Sequence, residues 1–386
     1  MKLKYQKIMV KWKIPLYKVF NDEDDVRIIS KVIKRSMDWA IGPEVEQFEY
    51  QLAKYVGSNY CLVFNSGTSA LHAALLSLDI RGGSVLVPSF TFISTANSAL
   101  MVGAKPTFVD IEEDNLGLDP SKVESAINTS TKAIMPVHYA GLPCKIEEIK
   151  EISKKKKIPL IEDAAEALGS RIRKKMVGTF GDLSVFSFAG NKVLTTGEGG
   201  AIVTNSNKIF NKLKLIRSHG RIEKQNYFSS NIKPEYIELG FNWRMSSISA
   251  ALGITQLSKM EKMINMRRKN AAYLSSRLNK YDEIKVPTEP KHYRHVYQIY
   301  SIQLPNINKR NKLMKFLTKK GIMSKVYFNP IHQTRFYKQS GFSKTRKLLV
   351  TERISNKILS LPLYPNMKKE ELRYIIDSVS EFLETN

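Results

Sequence analysis

At 386 residues, 42% hydrophobic and 25% charged, the chain exceeds what one hydrophobic core ordinarily supports; about two domains are expected and a largely disordered chain is excluded. Its 61 Lys and Arg against 36 Asp and Glu give +25, a balance that suits an anionic partner, but no nucleic-acid module is recognisable and the excess is scattered over a solvated surface. Two cysteines, Cys61 and Cys144, exclude a disulfide framework or a four-cysteine zinc site. With no run of about 18 apolar residues, they predict a cytoplasmic protein without membrane span or metal centre.

The first 18 residues carry six lysines (Lys2, Lys4, Lys7, Lys11, Lys13, Lys18). DEDDVRIISKVIKRSMDW and GPEVEQFEYQLAKYV follow, both with helical spacing, and are expected to pack with the C-terminal part. From Tyr60 to Thr204, apolar, β-branched runs alternate with helical patterns. The runs are CLVF (61–64), SVLVP (84–88), PTFVD (106–110), KAIMPV (132–137), IPLIED (158–163), LSVFSF (183–188) and GAIVT (200–204). Between them stand SALHAALLSL, STANSALMV, DPSKVESAI and KIEEIKEISKKKK, the last ending in lysines where a helix dipole favours cations. This alternation predicts an α/β fold with a mostly parallel, seven-stranded sheet covered on both faces and ligands at the carboxyl ends of its strands. Six of those ends carry polar residues that would converge on one crevice: Asn65 to Thr68, Ser89 to Thr91, Asp110, His138, Asp163 and Lys192. After about residue 255 the pattern changes to a long Lys/Arg/Met-rich helix, the run YQIYSIQLP, a helix from Lys309 to Lys320, GIMSKVYF, and a terminal helix from Lys368 to Leu383. The chain therefore divides into a large domain, 1–255, and a smaller α+β domain, 256–386.

Three motifs carry chemistry. In NSGTSALHAALL (65–76) a glycine turn with Ser66, Thr68 and Ser69 opens an apolar helix. Such a terminus presents N–H groups and a positive dipole end to a phosphate, or is simply capped by its own hydroxyls. IPLIEDAAEALGS ends a strand in Glu162 and Asp163 before small residues. A carboxylate there either keeps a ring nitrogen protonated or caps a following helix. In VFSFAGNKVLTTGEGGAIVTN (185–205) a single lysine, Lys192, sits among small and apolar neighbours before a glycine-rich turn. A desolvated lysine attacks carbonyls; a solvated one binds phosphate. The GxxxxGK[ST] spacing of a nucleoside-triphosphate loop is absent around it.

The chain also resembles the DegT/DnrJ/StrS sugar aminotransferases, and most nearly their perosamine synthase-like members. The resemblance runs from IPLYKVF and GPEVEQFE through NSGTSAL, VPSFTFIST, MPVHYAG, IEDAAEALGS, FSFAGNKVLTTGEGG, RSHGR and GFNWRMS to LPLYPNM. It implies an aspartate aminotransferase-like fold (fold type I) and pyridoxal 5′-phosphate as cofactor, with pyridoxamine phosphate as its intermediate form. Carried over residue by residue, it makes Lys192 the Schiff-base lysine and proton shuttle, pairs Asp163 with the pyridinium nitrogen, and stacks Phe92 on the ring. Gly67, Thr68 and Ser187 would hold the phosphate, and Asn242 would reach it from a neighbouring subunit, so a homodimer with shared sites is implied. Glu166 stands where many relatives carry Gln or His against the phenolic oxygen; a carboxylate there repels a phenolate unless protonated, and its role stays open. The implied reaction moves an amino group from glutamate to a nucleotide-linked 4-keto-6-deoxyhexose, giving an amino sugar nucleotide for surface polysaccharide or glycan assembly. A dehydratase of the same fold would carry His in place of Lys192, and a non-catalytic regulatory member would lose Lys192 or Asp163. His138, His219, Arg244, His332 and Glu198 lie in family-like segments without an assigned role.

Overall fold

Runs of Val, Ile, Leu and Phe with little polar alternation fold as strands buried on both faces. The computed structural model describes residues 12–222, 231, 233–342 and 347–385. All seven expected runs are strands: β1 (Tyr60–Phe64), β2 (Ser84–Pro88), β3 (Lys105–Val109), β4 (Thr131–Ile134), β5 (Ile161–Asp163), β6 (Leu183–Ser187) and β7 (Gly200–Thr204). β2 pairs in parallel with β3 and β4, β5 in parallel with β6, and β7 antiparallel with both β6 and β1. Parallel bridges Ile134–Leu160 and Val137–Asp163 join the two sets, so the spatial order is β3-β2-β4-β5-β6-β7-β1. One reversed strand, β7, makes the sheet mostly rather than wholly parallel.

Successive strand residues face opposite sides, and the cores follow that alternation. Leu62, Phe64, Val85, Val87 and Ile202 pack under the helices Gly67–Ser77, Ser94–Met101 and Asn207–Arg217. Val63, Phe186, Ala201 and Val203 pack on the other face against Phe48, Leu52, Met260 and Ile264. Each fully buried side chain of this size contributes about 1.5–3 kcal/mol of transfer free energy.

The two N-terminal helices, Glu23–Lys34 and Pro43–Val56, pack on the helix Ser247–Ser258 and, as expected, also join the C-terminal part: Phe48 and Leu52 share a core with Met260 and Ile264, and Tyr55 Oη donates to Glu261 Oε1 at 2.8 Å. Gly253 is the reason they sit so close, since a Cβ there would lie 2.5 Å from Cε1 of Phe48. Buried Asp25 fixes the other helix by accepting from Thr255 Oγ1 and Gln256 Nε2. The strand-like residues ahead of them reach the C-terminal unit as well. Lys13 N–H donates to Gly321 O at 2.9 Å, Met323 N–H to Ile14 O at 2.9 Å, and Leu363 N–H to Leu16 O at 3.2 Å.

In the C-terminal part β8 (Tyr300–Gln303) pairs antiparallel with β9 (Ile358–Leu361) beneath the helices Met260–Leu278, Ile307–Lys319 and Lys369–Thr385. Helix Met260–Leu278 serves two cores. Met260, Met263 and Ile264 pack with Phe48 and Phe186, whereas Ala271, Leu274 and Leu278 pack with Tyr300, Ile302 and Phe382. Among the described residues no helix is long and apolar enough to cross a membrane, and no cluster of three His, Cys, Asp or Glu is placed to hold a metal ion.

Candidate active site

At the end of β5 the strand alternation sends two adjacent carboxylates in opposite directions. Glu162 faces the loop after it and accepts from Gly178 N–H (2.9 Å), Phe180 N–H (2.7 Å) and Gly181 N–H (2.8 Å), with His138 Nε2 at 3.1 Å. Asp163 faces a cavity of about 400 Å³. Its Oδ2 accepts from Thr95 Oγ1 at 2.7 Å and its Oδ1 from Ala165 N–H at 3.2 Å; a turn rather than a helix follows, so the capping alternative does not arise. Thr95 lies in the first turn of the helix Ser94–Met101, and its hydroxyl is 3.1 Å from that of Thr91.

The same cavity is lined by Gly67, Thr68, Phe92, Glu166, Ser187 and Lys192. Ser66 caps the helix Gly67–Ser77 by accepting from Ser69 N–H at 3.0 Å, leaving Gly67 and Thr68 as the first residues whose N–H groups have no intrahelical acceptor. The cap and the phosphate cradle are thus compatible readings of one terminus. A Cβ on Gly67 would press within 3.0 Å of Ser187 Cβ and 3.1 Å of its Oγ, and one on Gly200 would lie 2.6 Å from Ser66 O and 2.7 Å from Gly67 N. Only glycine lets the helix start, Ser187 and the β7 end approach this closely. Phe92 contributes a ring that is 59% exposed in the cavity wall, 6.4 Å from that of Phe328.

Lys192 sits midway between β6 and β7, whose ends pair Ser187 with Gly200. Its ammonium lies 3.5 Å from Glu166 Oε1, and the other Glu166 oxygen accepts from Ala140 N–H at 2.8 Å. Burial pushes the Asp163 carboxyl above its ordinary value, opposed by the Thr95 and Ala165 hydrogen bonds and by the Lys192 charge. Burial also acts on Glu162, but the His138 ring and the Gly178 and Gly181 N–H groups outweigh it and hold that carboxyl below its ordinary value.

Four of the six strand ends reach this crevice, and two do not. Asp110 is turned aside to accept from the N–H groups of Ile111, Val350 and Thr351 and from the Thr351 hydroxyl. His138 is buried between Glu162 and Cys144, whose N–H lies 3.2 Å from Nδ1, while Nε2 lies 3.1 Å from Glu162. His332 is bound to Ser89 Oγ (2.7 Å) and Glu352 (3.4 Å), and Arg244 Nη1 donates to Ser218 Oγ (3.1 Å). Asn242 and His219 are exposed and lie outside the cavity of their own chain. Both cysteines are buried and free.

Sequence reasoning missed Thr95, Gln298, Lys325, Tyr327 and Phe328. Lys325, Tyr327 and Phe328 line the cavity, as does Glu198. Thr95 lay in a recognised helix pattern, and its place one turn from a strand end was the available signal. For Gln298, in YQIYSIQLP, the sequence held no such signal.

A phosphorylated aromatic ring fits this arrangement: a carboxylate at one place, an exposed aromatic face, and a helix N-terminus with a hydroxyl beside it, with an amine in reach. Residues 21–380 match the DegT/DnrJ/EryC1/StrS aminotransferase family. The chain is 34% identical over 370 residues to a GDP-perosamine synthase of Escherichia coli O157:H7, covering 96% of this chain and 98% of that one. It is 35% identical over 376 residues to a UDP-4-amino-4,6-dideoxy-N-acetyl-beta-L-altrosamine transaminase of Campylobacter jejuni, covering 94% and 96%. Its fold superposes on Helicobacter pylori PseC, an aminotransferase involved in the biosynthesis of pseudoaminic acid, with a TM-score of 0.90 at 30% identity, covering 97% and 100%.

Proposed function

Because the chain belongs to the DegT/DnrJ/EryC1/StrS aminotransferase family, we propose that it moves an amino group from glutamate to a nucleotide-linked 4-keto-6-deoxyhexose. It is a pyridoxal-phosphate-dependent sugar aminotransferase. The observation that carries the finer reading is the meeting of Lys192, Asp163, Phe92 and the Gly67 helix start on one cavity.

When bound, the cofactor supplies an aldehyde for amines to capture and a ring that takes up the electron pair freed at the donor's Cα. Gly67 and Thr68 N–H groups and the Ser187 hydroxyl would hold its phosphate, and the Phe92 ring would pack against it. Asn242, exposed in its own chain, reaches the phosphate in the partner subunit of a homodimer. Asp163 holds the ring-nitrogen proton; a buried carboxylate opposite a cation gains what burial alone denies it. Lys192 Nζ would be the amine that holds the cofactor's aldehyde carbon and the base that would move the proton at the donor's Cα. Glu166 Oε1 lies 3.5 Å from Lys192 Nζ, so the carboxylate faces the lysine ammonium while that amine is free. The same residues would serve the transfer of the amino group to the sugar ketone.

With the chain divided at 255 and 256, the proposed cofactor contacts belong to the first unit, and Lys325, Tyr327 and Phe328, which line the same cavity, to the second, which would supply contacts to the sugar. Relatives acting on GDP- and UDP-linked sugars are equally similar, so the proposal rests on the keto-sugar class, with a product used for cytoplasmic assembly of surface polysaccharide precursors. The test is to load the purified protein with cofactor, add glutamate, and follow loss of the yellow colour and release of 2-oxoglutarate, then challenge with 4-keto sugar nucleotides. Glutamate-dependent bleaching that Lys192→Ala abolishes is expected. Bleaching unchanged in Lys192→Ala rejects the assignment.

A further inference from the structure

Two lines of hydrogen bonds run from one short C-terminal segment, residues 296–299, to Lys192. Along the first, the Gln298 side chain grips the backbone on both sides of the lysine. Its Nε2–H donates to Asn191 O at 2.8 Å, and its Oε1 accepts from Val193 N–H at 2.8 Å. The opposite amide orientation would set donor against donor and acceptor against acceptor, so the network fixes it.

Along the second, Val296 N–H donates to Gly141 O at 3.1 Å and Ile299 N–H to Ala140 O at 3.3 Å. Ala140 N–H in turn holds the Glu166 oxygen opposite the one that faces Lys192 Nζ. This turn is pressed onto the segment. Ala140 adopts φ 57, a left-handed conformation costing a non-glycine residue about 1 kcal/mol, and a Cβ on Gly141 would lie 2.5 Å from Val296 Cγ2 and 3.2 Å from Gln298 N.

Behind the segment stands Arg267, buried on the helix Met260–Leu278. Its Nε–H donates to Tyr297 O and its Nη2–H to Gln298 O, each at 2.8 Å. A buried guanidinium bonded to main-chain carbonyls is an uncommon expense of desolvation, and burial lowers its pKa to about 9. What those bonds accomplish is to fix the backbone from which Gln298 projects.

We propose that Gln298, fixed by Arg267, is a positioning residue for Lys192: it sets the direction in which the lysine leaves the backbone and so aims Nζ into the cavity shared with Asp163. The inference rests on the reading of Lys192 as the covalent amine. The ladder at Ser187 and Gly200 secures the base of the 188–199 loop, and Lys192 N–H donates to Ala189 O at 2.9 Å within it, whereas Gln298 is the distant side chain that bonds both peptide groups flanking the lysine.

The test uses the full-length protein loaded with pyridoxal phosphate. Gln298→Glu keeps the acceptor for Val193 N–H and loses the donor to Asn191; Gln298→Leu loses both. Arg267→Lys keeps the charge without the two-pronged donor. Borohydride reduction followed by peptide mass analysis reports the cofactor's attachment to Lys192, and the glutamate half-reaction reports turnover. The expected result is full cofactor retention, since the phosphate contacts are elsewhere, with attachment rate and kcat lower by about tenfold in Gln298→Glu and about a hundredfold in Gln298→Leu. Arg267→Lys falls with Gln298→Glu, and KM for glutamate stays within about threefold throughout. A residue that only stabilises the fold would lower the melting temperature and leave the attachment rate per folded molecule at the wild-type value; that outcome overturns the proposal. If Gln298→Leu does not fold, Gln298→Glu and Arg267→Lys decide by the same criterion. Attachment that survives in Lys192→Ala overturns the underlying reading instead, whatever the Gln298 variants do.

Discussion

Glu162 and Asp163 are neighbours in sequence, of the same chemistry and equally withdrawn from solvent, yet they belong to different parts of the molecule. Glu162 is surrounded by donors from the 178–181 loop and His138. Asp163 has one hydroxyl and one N–H and otherwise faces the cavity. The first carboxylate is fully satisfied by the fold, and its charge closes a loop. The second is under-satisfied by the fold, and in the proposed role its unmet demand is what a cationic ligand atom would answer. An under-bonded buried charge beside a cavity, rather than burial as such, separates a chemical role from an architectural one.

Substitution separates the two sharply. Asp163→Asn is expected to lower kcat/KM by about a thousandfold, about 4 kcal/mol in the transition state, while the unliganded protein melts at or above the wild-type temperature. Steady-state kinetics and calorimetry check both halves, and comparable losses in Asp163→Asn and Phe92→Ala would break the comparison. Glu162→Gln is expected to do the reverse, costing about 3 kcal/mol of stability through its broken donor set with kcat per folded molecule unchanged; denaturant unfolding alongside active-site titration measures this. Phe92→Ala falls between them in kind and below both in size, with about a tenfold loss in kcat/KM and a weaker hold on the cofactor, read by equilibrium dialysis.

The smallest effect is in the pH dependence. The Glu162 carboxyl is depressed, so its contribution is present above the ordinary value of 4.5 and is lost as pH falls through its folded pKa. The Asp163 carboxyl is raised, so the native state holds its proton more tightly. Stability is then withdrawn as pH climbs from 3.8 through its folded pKa. Unfolding of the unliganded protein should therefore show the Glu162→Gln deficit shrinking toward acid, and the Asp163→Asn gain growing toward neutrality. Parallel pH profiles in the two variants would show that the two environments do not differ.

Much of this was legible locally. All seven strands followed from apolar runs, because a strand buried on both faces needs no alternation, and seven predicted site residues reached one cavity because strand ends and the turns after them gather on one edge of such a sheet. The same rule also pointed to Asp110 and His138, which end strands in the same way. What it lacks is the side on which a terminal side chain leaves. That depends on later partners, such as the N–H groups of Val350 and Thr351 for Asp110. The N-terminal helices displayed their apolar stripes plainly, but a stripe does not name what covers it; Gly253 against Phe48 decided that. Gln298 was out of reach for the same reason, being one polar residue in a strand-like run whose partners lie more than a hundred positions away.

The pairing of Ser187 with Gly200 has a further consequence. It ties the two ends of the lysine loop into the sheet, so the conformational freedom of the 188–199 segment is that of a closed loop from the moment the hairpin forms. The entropy of bringing an amine near a helix terminus is lost during folding, once, and not again at each encounter with substrate. A mobile tail bearing the same lysine would face that loss in every turnover; here the sheet register carries it permanently.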